Sequence, residues 1–224
     1  MSWLITPQLK VLNGVPQESI LGIPFGGGYF AGYISHTADG NPTHALIVAP
    51  RATGATGTGY TQTTSLRWKT TQTDTTGTAS TFDGVSNTSA ITAAGINDHP
   101  AAKFCTDLTI GGFADWYLPS RLELDIAYFN LKPTTASNNI SFPAGGNAYS
   151  VPKRVTSNSA SYPAQTAVAD FTTTAERFEP INHWSSTTSN ATQANNAIFS
   201  TGWNPANNNK DSLLAVRAFR RIAL

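Results

Sequence analysis

The stretch GGFADWYLPSRLELDIAYFN, residues 111–130, constrains the fold of this chain more tightly than any other part of it. Ser120 and Glu123 stand at the Ser-x-x-Glu spacing of a capping box, in which hydroxyl and carboxylate each accept a hydrogen bond from an otherwise unpaired amide at a helix start. Leu122, Ile126 and Phe129 then recur at helical spacing, and Leu124, Tyr128 and Leu131 widen the apolar face. A face this wide needs burial against a sheet. The glycine pair Gly111–Gly112 stops an earlier helix, which begins near Asp98 with Asn97 or Asp98 as its cap and Pro100 in its first turn. That helix places Ala101, Cys105 and Leu108 on one stripe.

Strands are expected on both sides of this pair. Residues 29–34 and 44–49 flank the turn signal ADGNP and read as a hairpin. The closing run LLAVRAFRRIAL alternates as a strand, with Leu214, Val216, Ala218, Ile222 and Leu224 on one side and Arg220 interrupting; it is short enough to be read as a helix too. A hairpin, two helices and further strands make an α+β domain. With 224 residues the chain can bury one large core, expected over residues 25–224. Residues 1–24, punctuated by Pro7, Pro16 and Pro24, read as an extended arm suited to oligomerisation or attachment.

Residues 51–95 are dominated by Thr, Gly, Ser and Ala, with isolated aromatics at Tyr60, Trp68 and Phe82, and a similar segment covers residues 134–174. Such a tract is either a long ordered loop packed through its few large side chains or a disordered one; its scarcity of charge favours order.

Several chemistries find no support. Charged residues are 12% of the chain and the net charge is +1, too little to mark a nucleic-acid or anionic-membrane surface. No run approaches the roughly 20 apolar residues that span a bilayer, so no membrane insertion is expected. The opening MSWLITPQLK lacks the basic and apolar regions of a signal peptide, which points to synthesis in a cytoplasm. Cys105 is alone and reads as a small core residue. His36, His44, His99 and His183 include no pair at helical metal-ligand spacing, and His183 beside Trp184 reads as a packing residue rather than a base. Neither FGGG nor GGF matches a dinucleotide or phosphate loop. Glu123 belongs to the capping box, and Asp115 is placed to bond nearby backbone or an Arg. No catalytic residue, metal or cofactor is expected.

The runs GGFADWYLPSRLEL, HWSSTT and VRAFRR together resemble the domain family named after the C-terminal domain of Lcl, a collagen-like bacterial adhesin. The likeness extends over residues 25–224 through FGGGYFAGYI, ALIVAP and AAKFCTDLTIGG. It implies a C-type-lectin-like fold, two helices on small antiparallel sheets with long polar loops, related to formylglycine-generating-enzyme-like domains and phage tail-tip receptor-binding domains. It also implies fold-defining roles for Asp115, Trp116, Leu118, Pro119, Ser120, Glu123, Trp184, Ser185, Ser186, Val216 and Arg217. His183 departs from the family's Tyr or Phe, and the polar material between the second helix and HWSS implies an elaborated surface. The calcium-ligand triplets of C-type lectins are broken here, by Ile181 in Glu179-Pro180-Ile181-Asn182 and by Pro205 after Trp203-Asn204. A single Cys excludes the paired-thiol chemistry of the formylglycine-generating enzymes.

What these readings leave is a binding module. Its expected face is the segment between Trp184 and Val216, with Thr187, Thr188, Asn190, Gln193, Asn195, Trp203, Asn204, Asn207, Asn208, Asn209 and Lys210 as ligand-binding residues. Asn amides donate and accept at once, Thr hydroxyls adapt, and Trp203 offers a stacking platform; a solvated loop rich in Asn for turn geometry is the plainer reading. The resemblance implies a non-enzymatic virion protein, a tail-fibre or tail-tip component that recognises a host-surface glycan or protein. Its expected partners are other tail proteins and further copies of itself, with a trimer as one candidate, assembled in the host cytoplasm. A bacterial surface adhesin or lectin domain and a structural virion decoration protein are the alternatives.

Overall fold

The computed structural model of the protein describes residues 20–224, so most of the expected arm, residues 1–24, lies outside the described residues. The expected hairpin is present: β2 (Gly28–Ile34) pairs antiparallel with β3 (His44–Val48). A short β1 (Pro24–Phe25) and β6 (Ser150–Val151) also pair with β2, and β12 (Phe219–Ala223) pairs with β3, completing a five-stranded sheet. The first and last strands of the described residues, β1 and β12, thus lie in one sheet.

That sheet is covered on both faces, which explains why HALIV is an unbroken apolar run rather than an alternating one. Ala45 and Ile47 join a cluster with Trp68, Ala101, Cys105 and Trp116, whereas Leu46 and Val48 join another with Leu124, Ala127 and Leu131. The second cluster is the buried face of the expected capped helix, Arg121–Leu131. Its capping box forms as read: Ser120 Oγ accepts from the Glu123 amide at 3.4 Å, and Glu123 Oε2 accepts from the Ser120 amide at 2.7 Å. Gly32, at φ +133° in a bulge of β2, lets this helix approach; a Cβ there would stand 2.3 Å from the Asn130 side chain.

Among the described residues the helices in chain order are α1 (Arg51–Gly54), α2 (Gly84–Ala93), α3 (Pro100–Thr106), α4 (Arg121–Leu131) and α5 (Ala169–Thr172). The architecture is α+β, with more helix than the two segments expected. Helix α2 lies inside the segment read as a long loop. Asp83 caps it by accepting from the Ser86 amide, but the positions it buries include Gly84, Asn87 and Thr88, so it carries no apolar stripe. Asn87 instead bonds both backbone groups of Ser80 and the Ser186 hydroxyl, and Thr88 bonds the Leu118 amide and carbonyl. Helix α3 is shorter than expected and uncapped by either proposed residue. Its N-cap is His99, because residues 96–98 form a separate 3₁₀ turn.

The last residues do not form one alternating strand. β10 (Leu213–Leu214) pairs with β5 (Leu66–Arg67), β11 (Val216–Arg217) with β4 (Ala55–Thr56), and only β12 with β3. Because the chain runs between layers, Ala215, Val216, Arg217, Ala218 and Phe219 are all buried. Arg217 is held by the Ala49 carbonyl at 2.9 Å and by Glu176 at 2.9 Å.

The opening motif is a junction of these parts. Tyr117 exchanges backbone hydrogen bonds with Phe219, Asp115 ion-pairs with Arg220, and the Pro119 carbonyl accepts from the Ser186 amide at 2.7 Å. One loop therefore ties the start of α4 to the terminal strand and to β7 (Asn182–Thr188), the first strand of a second sheet.

Candidate functional site

The second sheet is an antiparallel meander of β7, β8 (Gln193–Ile198) and β9 (Trp203–Asn209). The Asn-rich segment is thus a sheet rather than a loop. Its strands hold together through side-chain amides as well as backbone. Gln193 faces Asn209 and Asn195 faces Asn207 in register, and in each pair the amide nitrogen of β8 donates to the Oδ1 of β9, at 3.3 and 2.6 Å. Asn190, in the β7–β8 turn, extends the row by donating to Gln193 Oε1 at 3.1 Å. Each amide carries both donor and acceptor, so neighbours across an antiparallel pair complement one another without charge. Asn196, fully buried, forms a second chain: it donates to Asn208 Oδ1 at 2.9 Å and accepts from Asn182 at 3.0 Å.

The eleven expected ligand residues separate into two groups. Asn190, Asn207 and Asn209 are exposed, Thr188, Gln193 and Asn208 are half-buried, and Trp203 is 43% exposed. Thr187, Asn195, Asn204 and Lys210 are buried. Thr187 accepts from the Arg121 amide and donates to the Ser80 carbonyl, and Asn204 donates to the Arg121 carbonyl, so both secure the start of α4. The Lys210 ammonium donates to the carbonyls of Thr73 and Ala191 and lies 4.8 Å from the centre of the Trp68 ring. Desolvation pushes its pKa down to about 8. These buried side chains are corrected from ligand contacts to scaffold; Asn195 still anchors Asn207 from below.

Asn190, Gln193, Asn207 and Asn209 share one face, whereas Asn208 turns with Asn196 to the other and Thr188 bonds Thr78. No Asp, Glu, Lys or Arg occurs between Thr187 and Asn209, so the segment itself offers amides and hydroxyls rather than charges. Trp203 stacks nearly parallel to Phe142, with centroids 6.0 Å apart, and Ile140 is exposed on the same loop as Phe142. Phe142 and Ile140 were missed in the sequence, where nothing distinguishes them from other aromatic and apolar residues in a polar tract.

Other groups that chemistry could use are committed elsewhere. His183 is buried; its Nδ1 donates to the Ile181 carbonyl, leaving Nε2 to accept from the Tyr60 hydroxyl, and burial lowers its pKa to about 3. The Glu179 carboxylate pairs with Arg51 at 2.6 Å and Arg177 at 3.2 Å. Burial raises Glu123 to about 7 against the hydrogen bonds from Tyr117 and Ser120. Cys105 is buried, and desolvation raises its thiol far above the usual range. Among the described residues no group of three or more His, Cys, Asp or Glu is placed to hold a metal ion, and no helix is long and apolar enough to cross a membrane.

No family model matches the chain, and no curated protein matches it.

Proposed function

We propose that the protein is a non-catalytic recognition module of C-type-lectin-like fold, serving as the receptor-binding component of a phage tail fibre or tail tip. The observation that carries this reading is the uncharged amide row of Asn190, Gln193, Asn207 and Asn209 on a sheet whose strand β9 also bears the exposed, stacked Trp203. Donors and acceptors fixed by a sheet, next to an aromatic platform, suit a hydroxyl-rich glycan or a polar protein loop. The scaffold under it supports the same reading. The first and last described strands share one sheet, a capped helix packs on that sheet, and the loop from Asp115 to Ser120 joins both to the sheet that bears the row.

The protein works as a homo-oligomer attached to other tail proteins, with the amide row turned to the host surface. Fluorescently labelled protein should stain bacterial host cells and give discrete signals on a glycan array. Failure to bind any cell or glycan would instead favour a structural decoration of the virion.

A further inference from the structure

The meander of β7, β8 and β9 is bonded along one side and open along the other. On the outer side of β7 the Ser186 amide donates to the Pro119 carbonyl at 2.7 Å and the Thr188 amide to the Thr78 carbonyl at 2.8 Å. Strand β9 pairs with β8 alone, so among the described residues its outer edge has no strand beside it. An open edge is a template for another strand, and charged side chains, Lys above all, are the usual guard against such pairing. The edge strand Trp203–Asn209 carries no charged residue.

The register decides which backbone groups face outward. The Lys210 amide donates to the Thr192 carbonyl at 2.9 Å, and Asn209 and Asn207 stand opposite Gln193 and Asn195. Backbone groups alternate in direction along a strand, so Ala206 and Asn208, like Lys210, turn theirs to β8, whereas Asn207 and Asn209 turn theirs away. The peptide between Pro205 and Ala206 is trans, which aims the Pro205 carbonyl outward, opposite the inward amide of Ala206. The edge thus presents the amides of Asn207 and Asn209 and the carbonyls of Pro205 and Asn207. Among the described residues none of these four groups has a backbone partner outside the sheet. Pro205 has no amide to offer, and the Asn209 carbonyl is already filled by the Ser212 amide at 2.9 Å.

This set of groups is complementary to itself. In an antiparallel pair centred on Asn207, the Asn207 residues of two copies exchange both backbone hydrogen bonds. Each Asn209 amide then meets a Pro205 carbonyl across the seam, and the amide that Pro205 lacks falls opposite the Asn209 carbonyl that Ser212 fills. Every outward group is paired. Centring on Pro205 would oppose two residues without amides, and centring on Asn209 two residues whose carbonyls are taken, so one register alone satisfies the edge. The side chains agree with it. Asn207 spends one acceptor site on Asn195 Nδ2 at 2.6 Å and keeps its own amide hydrogens, while small Ala206 falls opposite Asn208. We propose that the outer edge of β9 is a two-fold dimer interface, at which the β9 strands of two copies pair antiparallel about Asn207 and join their meanders into one continuous sheet. This rests on the homo-oligomer proposed above and gives it an interface, and it does not depend on host binding. The two-fold axis of such a pair stands perpendicular to the sheet, so both amide rows lie on the same face and form one larger surface.

The test is sedimentation of the full chain combined with cysteine cross-linking. Wild type should sediment as a dimer at submillimolar concentration, and hydrogen exchange at the Asn207 and Asn209 amides should slow as protein concentration rises. Asn209→Pro deletes an amide that bonds only across the seam, so the ladder to β8 is kept while self-association weakens at least about tenfold. Asn207→Cys sets two thiols on directly opposed residues with Cα atoms about 5.5 Å apart, within disulfide reach, and mild oxidation should link the copies. Asn209→Cys should stay unlinked, because its counterpart stands about 13 Å along the strand. Cys105 is buried and takes no part. The interface is overturned if wild type remains monomeric, if Asn209→Pro dimerises as tightly as wild type, or if Asn209→Cys links as readily as Asn207→Cys. A dimer whose Asn207 and Asn209 amides exchange as fast as in the monomer would also overturn it, by placing the contact elsewhere. Host-cell binding by a monomer would sink the interface while sparing the recognition face, so the two claims fail separately.

Discussion

Trp68 and Trp184 clamp each other's chain segments: the Trp68 indole donates to the carbonyl of Ser185 at 2.9 Å, and the Trp184 indole donates to the carbonyl of Leu66 at 2.8 Å. Both rings are buried, so the pair fastens the long polar segment after α1 to the sheet that carries the amide row. Aromatic residues isolated in a polar tract thus give that tract its order.

Replacing either indole by Phe keeps most of the apolar volume but leaves a buried carbonyl unpaired. Trp68→Phe and Trp184→Phe should each lower stability by about 1–3 kcal/mol in urea unfolding. The double variant should cost less than the sum, because the two bonds lock the same pair of segments. Strict additivity would show that the clamp does not act as a unit.

A second expectation concerns Gly202, in the β8–β9 turn at φ +68°, where a Cβ would stand 2.2 Å from the Tyr128 ring. Gly202→Ala should destabilise the fold by about 1–3 kcal/mol, through both the left-handed backbone and the overlap with α4. An unchanged unfolding midpoint would mean that the turn and α4 are not in this contact.

The pH dependence of stability has two opposed parts. Glu123 is raised by burial from 4.5 to about 7, so it holds its proton longer folded than unfolded. Its contribution is complete below the unfolded value and is lost as pH rises toward about 7, amounting to about 3 kcal/mol. The histidines act the other way. Burial, the first cause in each, lowers His36 and His99 below 6.5, His44 to about 4 and His183 to about 3. Their contribution is present above the unfolded value and is lost as pH falls below 6.5 toward those folded values. Wild-type stability should therefore fall on acidification from pH 7 to 4, and Glu123→Gln should make the fall steeper by removing the one opposing carboxylate. Denaturant unfolding at a series of pH values reads both slopes, and parallel curves for the two proteins would refute the buried-carboxylate assignment.

The parts of the fold legible in the sequence are those where local chemistry and burial agree. Ser120 and Glu123 announce α4 because a capping box is local, and the hairpin around ADGNP is local as well. Helix α2 was hidden because tertiary hydrogen bonds, not apolar contacts, bury Asn87 and Thr88. Strands β8 and β9 were hidden because Asn is a poor strand former in isolation, and only pairing across the sheet satisfies its amides. The same cause divides the candidate site. Asn207 and Asn204 look alike in sequence, yet one lies exposed on the row and the other is buried against Arg121.

The central claim, that the amide row beside Trp203 is the recognition face, is tested most directly by quantitative binding of the purified protein to intact host cells. Wild type should be compared with Trp203→Ala and with the Asn207→Ala/Asn209→Ala double variant, at a temperature where thermal unfolding shows all three to be folded. Trp203→Ala should unfold close to wild type, the double variant should lose about 1–3 kcal/mol because the buried Asn195 amide loses its acceptor, and each should lose at least about tenfold in affinity while folded. Equal binding by wild type and both variants would contradict the claim.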